Sequence, residues 1–448
     1  MNYKKLIKPY EIDMLDATRR FVVIPSIYDE KTVGKSMPFG KGVADALQFV
    51  ADLGERFGFD VDRCDGYATE LTIGEGTKTI GIYAHADVVP VTGEWKNPPF
   101  EPTIEDGKIY GRGTSDDKGP FIAAFYAVKA LKDAGLIRNY KIKIVVGGDE
   151  ERGSSCLDYY FHNLKKEYPT FGFTPDSDFP LIYGEKEITD FYPSINVNIP
   201  HVKSIKGGAA TNAVCDKVTI ELDDVTDIKK YLDEHVVEHT IDGNKVTIFG
   251  KSCHGSTPEL GINAALIALK AIGTIYQVET ITRIGEKMAD TSGKSFGCYS
   301  HSDLLKDTTY CVGLIDYENG KLSFSVNFRS PENVDPKEIV SKFDKFFLTQ
   351  SKIDGEPSHY LLFDPKSKLV STLLKAYRKE TGDRSEPLTT GGGTYAKHAK
   401  NTIAFGALFP GRVSTMHEPN EYMPIEDIYL SAAIYAHAID LLGKIDED

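Results

Sequence analysis

The sequence predicts an α/β chain: a main domain with a mostly parallel sheet flanked by helices, interrupted by an inserted α+β domain with an antiparallel sheet. Three observations predict it. Short apolar runs alternate with helical patterns over residues 1–186, strictly alternating strands follow over 187–363, and the first texture returns over 364–448. A chain of 448 residues is long enough for about two or three domains, each with its own core.

Residues 42–57 place Val43, Leu47, Val50 and Leu53 at helical spacing. Apolar runs at 79–84 (TIGIYA), 141–147 (KIKIVVG) and 171–174 are separated by helical patterns at 118–134 and 154–168. Buried strands spaced by helices suit a parallel sheet, and ligands of such sheets bind beyond the strands' carboxyl ends. In the middle, 217–222 (KVTIEL) and 321–329 (KLSFSVNFR) alternate, with Leu322, Phe324, Val326 and Phe328 on one face. Such strands fit an antiparallel sheet, with helical patterns at 224–240, 258–278 and 335–348 covering the apolar side. The last part reads as a helix at 367–379, a glycine cluster, a strand at 402–408 and a helix at 425–442.

Charge and composition narrow the function. Lys and Arg number 52 against 66 Asp and Glu, a net charge of −14. That balance disfavours nucleic acid and anionic membranes, both of which need basic surface. No apolar stretch has the length of a membrane span, and the first segment lacks the apolar centre of a signal peptide. The six cysteines are scattered, with no C-x-x-C pair. Together these lead to the expectation of a cytoplasmic protein with reduced thiols.

Five segments concentrate chemistry. His85 and Asp87 in YAHADVVP follow a strand pattern and sit two residues apart, so both can face one side. Asp116 and Asp117 lie in YGRGTSDDKGP, where the glycines resemble a phosphate loop but the carboxylates would repel phosphate. Glu150 and Glu151 in GGDEERG follow the next strand, Asp176 in TPDSDFP another, and His417 stands in TMHEP before the last helix. Taken singly, each has an ordinary reading as a helix cap, a solvated loop or a buried histidine. Three acidic sites on the ligand side of one sheet are a stronger signal. A donor set of His and carboxylate without Cys suits Zn²⁺, Mn²⁺ or Co²⁺ in a catalytic site.

These motifs resemble the dinuclear-metal exopeptidases that include aminoacylase, succinyl-diaminopimelate desuccinylase, glutamate carboxypeptidases and carnosinase. HADVVP, GRGTSDDKG, DEE, PDSDFP and MHEPNE match in order over essentially the whole chain. The resemblance is greatest to the bacterial PepV-type dipeptidases, through GGAATNAV, CHGSTP, NFRSP and TGGGTYAKH. It implies a catalytic main domain, an inserted lid, and two divalent ions per subunit, Zn²⁺ first, with Mn²⁺ or Co²⁺ as alternatives. His85, Asp116 and Asp176 would hold one ion and Asp116, Glu151 and His417 the other. Asp87 would orient His85, and Glu150 would act as general base toward a metal-bridged hydroxide. A shared water would have its pKa lowered from about 15.7 to about 7. The family also implies a cis peptide after Asp116.

In the inserted domain, the resemblance makes His254 a donor to the oxyanion with Asn212 nearby. Arg329 would clamp the substrate's terminal carboxylate, helped by backbone N–H groups of Gly391, Gly392, Gly393 and Thr394. The implied protein is a dipeptidase acting on free-amine dipeptides, monomeric or weakly dimeric, because the insertion supplies in one chain what smaller relatives complete across a dimer. A related deacylase of N-acyl amino acids or a carboxypeptidase is the enzyme alternative. A binding module without turnover is disfavoured by Glu150, and a nucleotide-binding protein by the acidic loop.

Two further patterns compete. His235, Glu238 and His239 match H-x-x-E-H within a helical pattern, but a complete donor set lies elsewhere. Cys253 adjoins His254, and in an extended segment adjacent side chains point apart.

Overall fold

The computed structural model describes residues 1–355 and 357–445; residues 356 and 446–448, which fall inside the predicted domain ranges, lie outside the described residues. Two compact units divide the chain. One comprises Met1–Tyr183, Phe363–Leu388 and Thr394–Asp448, the other Gly184–Leu362 and Thr389–Gly393. The short segment Thr389–Gly393 differs from the predicted partition, which left it in the main domain. Bonds distant in sequence hold it in the second unit: the Lys186 amide donates to the Thr390 carbonyl at 3.1 Å, and the Thr389 hydroxyl to the Leu304 carbonyl at 3.1 Å.

The sheet of the first unit contains, as successive neighbours, Asp60–Asp62, Ala68–Gly74, Tyr140–Gly147, Lys78–His85, Phe171–Thr174 and Thr402–Ala404. The last four run parallel, and Ala68–Gly74 joins them antiparallel. Register puts Ile82 between Ile144 and Phe173, all fully buried. Each such side chain contributes about 1.5–3 kcal/mol by leaving water. The same register sets His85 beside Gly147, so the acidic run that follows Gly147 starts level with the histidine.

Helices Lys118–Asp133 and Ile425–Gly443 pack together and are apolar on nearly every side, the pattern of core helices. Helix Lys41–Arg56 is amphipathic and lies on Ala68–Gly74. The helical pattern at 154–168 yields only Ser155–Asp158 and the wider turn Tyr159–Asn163. Its aromatic residues are engaged elsewhere: Tyr159 stacks on Tyr67 at 3.7 Å and Phe161 on Tyr168 at 4.3 Å. The apolar run 402–408 also divides. Its strand stops at Ala404, and Ala407–Leu408 pairs instead with Ser177–Asp178.

The second unit holds an eight-stranded antiparallel sheet. Its order is His239–Asp242, Lys245–Phe249, Lys217–Leu222, Val202–Gly207, Thr309–Glu318, Lys321–Ser330, Glu187–Asn196 and Gln350–Ile353. Leu322, Phe324, Val326 and Phe328 form the predicted stripe and join one core with Leu232, Leu269, Ile272, Ile284, Phe343 and Phe347. The opposite phase is not solvated at the strand's end, since Ser325, Asn327 and Arg329 are buried too.

Two helical patterns shorten here. Residues 258–278 give a turn at Pro258–Leu260 and a helix at Ala264–Ile275, whose start is set by the Asn263 side chain accepting the Leu266 amide at 3.2 Å. The 224–240 pattern ends as helix Thr226–Glu234. Val236 then turns left-handed (φ +55°), and His239 begins a hairpin strand. His235, Glu238 and His239 therefore do not share a helix face.

Candidate metal centre

The loop 111–117 enters helix Lys118–Asp133 through a close approach that only glycine permits. A Cβ on Gly119 would lie 2.1 Å from the Thr114 carbonyl. This packing delivers Asp116 to the carboxyl ends of the parallel strands, and the Asp116–Asp117 peptide is cis, as the resemblance implied.

Asp116 divides its carboxylate between two imidazoles. Oδ1 lies 2.9 Å from His85 Nε2, and Oδ2 lies 2.9 Å from His417 Nε2. Asp176 Oδ2 stands 3.8 Å from His85 Nε2, and Glu151 Oε2 stands 3.1 Å from His417 Nε2. Two groups of donors result, His85 with Asp116 and Asp176, and Asp116 with Glu151 and His417, the atoms of each within 4.8 Å of one another. Each could hold a divalent ion.

His85 is oriented as such a role needs. Its Nδ1 donates to the Asp87 carbonyl at 3.0 Å, which aims Nε2 at Asp116. Asp87 does more than face the ring, 3.4 Å from Nδ1. Its two carboxylate oxygens accept the amides of Glu150 and Glu151, each at 3.1 Å. His417 takes a left-handed backbone, φ +64°.

Crowded carboxylates perturb one another. Burial, then the charge of Asp176, pushes Glu150 well above its usual range. Burial and the Asp116 charge push Asp176 up to about 7. Burial opposes protonation of His417, but Glu151 and Asp116 outweigh it and raise it to about 11. For Asp116 burial is likewise outweighed, by hydrogen bonds from His417 and His85, and its carboxyl is held well below the ordinary range. A dense set of buried carboxylates and imidazoles is what a pair of cations would neutralise. The donors fit divalent metal.

Two side chains that sequence reasoning did not single out complete the surroundings. Glu421 accepts the amides of Gly113, Ser115 and Asp116 at 3.0, 2.8 and 3.1 Å. Arg112 meets Glu421 at 2.8 Å and reaches the His417 carbonyl at 3.3 Å. Arg112 lies in GRGTSDDKG and Glu421 in MHEPNE, 309 residues apart, and no local pattern links them.

The motifs of the second unit also converge. Asn212 runs beside His254, its carbonyl accepting the Gly255 amide at 2.7 Å. A Cβ on Gly313 would come within 2.2 Å of the Ala210 carbonyl, so the segment before Asn212 needs glycine there. His254 Nδ1 lies 2.7 Å from the Ser256 hydroxyl. Buried Arg329 donates through Nε to Asn327 at 2.8 Å and through Nη1 to the Gly391 carbonyl, and Asn327 donates to Asp190 at 2.7 Å. Gly391 thus meets the guanidinium with its carbonyl rather than its N–H, and the Gly392 amide is taken by the Thr390 hydroxyl at 3.0 Å. Gly393 is exposed in the same unit. Thr394 belongs to the first unit and caps the Ala396 amide at 3.2 Å. The Cys253 thiol donates to the Thr257 carbonyl at 3.2 Å.

Residues 81–441 match the family described as Peptidase family M20/M25/M40. A Bacillus subtilis protein named "Putative dipeptidase YtjP" is 34% identical over 474 residues, covering 99% of this chain and 100% of its own. A Staphylococcus haemolyticus relative with a name of the same kind is 33% identical, covering 98% of each. Among solved structures, the dipeptidase Dug1p of Saccharomyces cerevisiae aligns with a TM-score of 0.63 at 16% identity, over 100% of this chain and 99% of that one. Human carnosine dipeptidase 1 aligns with a TM-score of 0.61 at 14% identity, over 99% and 98%. The structural likenesses carry the fold, and the family match with the near-full-length relatives carries the membership: the chain belongs to peptidase family M20/M25/M40 and is a metal-dependent peptidase, as its motifs predicted.

Proposed function

We propose that this protein is a cytosolic dipeptidase that hydrolyses dipeptides with a free N-terminus, using two divalent ions, Zn²⁺ first with Mn²⁺ and Co²⁺ as alternatives. The observation that carries the two-ion reading is Asp116, whose carboxylate oxygens each meet a different histidine at 2.9 Å. The relatives' names support the substrate class, and a solved Bacillus subtilis protein described as a dinuclear metal binding peptidase of the M20 family supports the ion count. Among the described residues no helix is long and apolar enough to cross a membrane.

His85, Asp116 and Asp176 would hold one ion, and Asp116, Glu151 and His417 the other. Bound there, the ions would supply Lewis acidity, polarising the peptide carbonyl and acidifying water. Glu150 takes the proton from the attacking water and returns it to the leaving amine. Burial among carboxylates, which raises its affinity for a proton, suits that work. Asp87 holds the Glu150 and Glu151 backbone and the His85 ring in register. His254, with Asn212 beside it, donates to the developing oxyanion. Arg329 binds the terminal carboxylate, and the run from Gly391 to Thr394 shapes that subsite. Its burial, which lowers the guanidinium to about 10, still leaves it charged at neutral pH. Recognition of that carboxylate limits the substrate to two residues. The enzyme is assigned as a monomer or weak homodimer.

The test is a substrate panel on apo-enzyme reloaded with Zn²⁺, Mn²⁺ or Co²⁺ in turn. Free-amine dipeptides are expected to turn over best. Faster hydrolysis of N-acyl amino acids or of longer peptides would overturn the dipeptidase reading.

A further inference from the structure

Two loops of the first unit, 111–117 and 415–421, carry Asp116 and His417, and one buried ion pair ties them together. Glu421 Oε2 accepts from Arg112 Nη1 at 2.8 Å and from the Gly113 amide at 3.0 Å. Its Oε1 accepts the amides of Ser115 and Asp116 at 2.8 and 3.1 Å. On the other side, the Arg112 guanidinium donates to the Glu418 carbonyl at 3.4 Å and the His417 carbonyl at 3.3 Å. Side-chain exposures are 1% for Arg112 and 0% for Glu421. Burying both charges is costly unless nearly every donor and acceptor is used, and here the carboxylate takes four N–H donors. Neither residue offers an atom to either donor group. What they hold is backbone: Glu421 the amide of the residue common to both groups, Arg112 the carbonyl of a residue found in one.

We propose that Arg112 and Glu421 are positioning residues that couple the two ion sites, with unequal reach. Glu421 sets Asp116 and so acts on both sites. Arg112 holds His417 directly and Asp116 only through Glu421, and so acts chiefly on the site of Asp116, Glu151 and His417. This rests on the two-ion reading above. It adds that occupancy of the second site depends on a residue outside its donor set, and that the two substitutions are distinguishable by stoichiometry.

The experiment titrates apo-protein with Zn²⁺ by calorimetry and chelator competition, and follows apo-protein unfolding by circular dichroism. The wild type taking up two ions checks the reading itself; a single ion would overturn that reading, and the coupling with it. Arg112→Gln is expected to weaken one ion about 10–100-fold, the cost usual for a lost partner behind a ligand, and to weaken the other several-fold less. Arg112→Lys, which keeps the charge but not the fork, should recover part of the loss. Glu421→Gln, with one acceptor oxygen where two are needed, should weaken both. A purely structural role predicts a lower unfolding temperature with both affinities unchanged, and that result would overturn the proposal, as would equal weakening of both sites by Arg112→Gln. If Glu421→Gln does not fold, the two Arg112 variants decide alone.

Discussion

Asp87 accepts the backbone amide of Glu150 at 3.1 Å with one carboxylate oxygen, and that of Glu151 at 3.1 Å with the other. One side chain therefore sets the backbone of the proposed base and of a proposed ligand while lying 3.4 Å from His85.

Asp87→Ala should leave two inward-facing amides unpaired and the His85 ring less constrained. Zn²⁺ affinity is expected to fall about 10–100-fold, with about 1–3 kcal/mol lost in apo-protein stability for each unpaired buried group. Chelator competition and urea unfolding measure the two effects. Wild-type affinity in the variant would contradict the linkage.

Glu150→Ala should separate chemistry from metal binding. Loss of a proton-transfer group costs about 10²–10⁴ in rate, while both donor groups stay intact. Metal content by elemental analysis should remain two ions per chain as kcat collapses. Retained turnover would remove Glu150 from the mechanism.

Chelator treatment should abolish hydrolysis, and reloading should depend on pH with a defined sign. Asp176, raised to about 7 by burial and Asp116, holds a proton below that pH, and His417, held at about 11 chiefly by Glu151 and Asp116 against burial, is protonated at neutrality. Ligation needs carboxylate and neutral imidazole, so ion uptake releases protons and apparent affinity rises with pH. Calorimetry at pH 6.5 and 8 in buffers of different ionisation enthalpy should report that release; proton uptake or a flat profile would contradict it.

Arg329→Ala should raise KM for dipeptides and erase their preference over tripeptides. A hydrogen bond to a charged group is worth about 1.5–3 kcal/mol, roughly 10–150-fold in kcat/KM. Asp190→Asn, which removes the charge behind Asn327, should produce a smaller shift in the same direction, read from steady-state kinetics on matched di- and tripeptides.

Substituting His235 and His239 by Ala should change neither metal content nor turnover. His235 bonds its own helix at the Tyr231 carbonyl, 2.8 Å away, and His239 opens a strand. Loss of an ion in this double variant would reinstate the H-x-x-E-H motif.

Legibility in the sequence follows the range of the interaction. The buried strands at 79–84 and 141–147, the stripe of Leu322, Phe324, Val326 and Phe328, and the helix before the C-terminus were readable because a period of two or 3.6 residues is local. Where aromatic stacking or a left-handed residue intervened, as at Tyr159 and Val236, periodicity overstated the helix. The candidate donors were readable for a similar reason: His85, Asp116, Glu151 and Asp176 each follow a strand pattern or a glycine turn.

The sequence by itself determined which side chains could bind cations and on which edge of the sheet they would emerge. Only the tertiary structure showed how they pair: Asp116 between His85 and His417, as the resemblance implied, Asp87 beneath Glu150 and Glu151, Arg112 against Glu421, and Arg329 against the Gly391 carbonyl. Those relationships join residues tens to hundreds of positions apart, where no periodicity operates. They are imposed by strand register and by the need of each buried polar group for a partner.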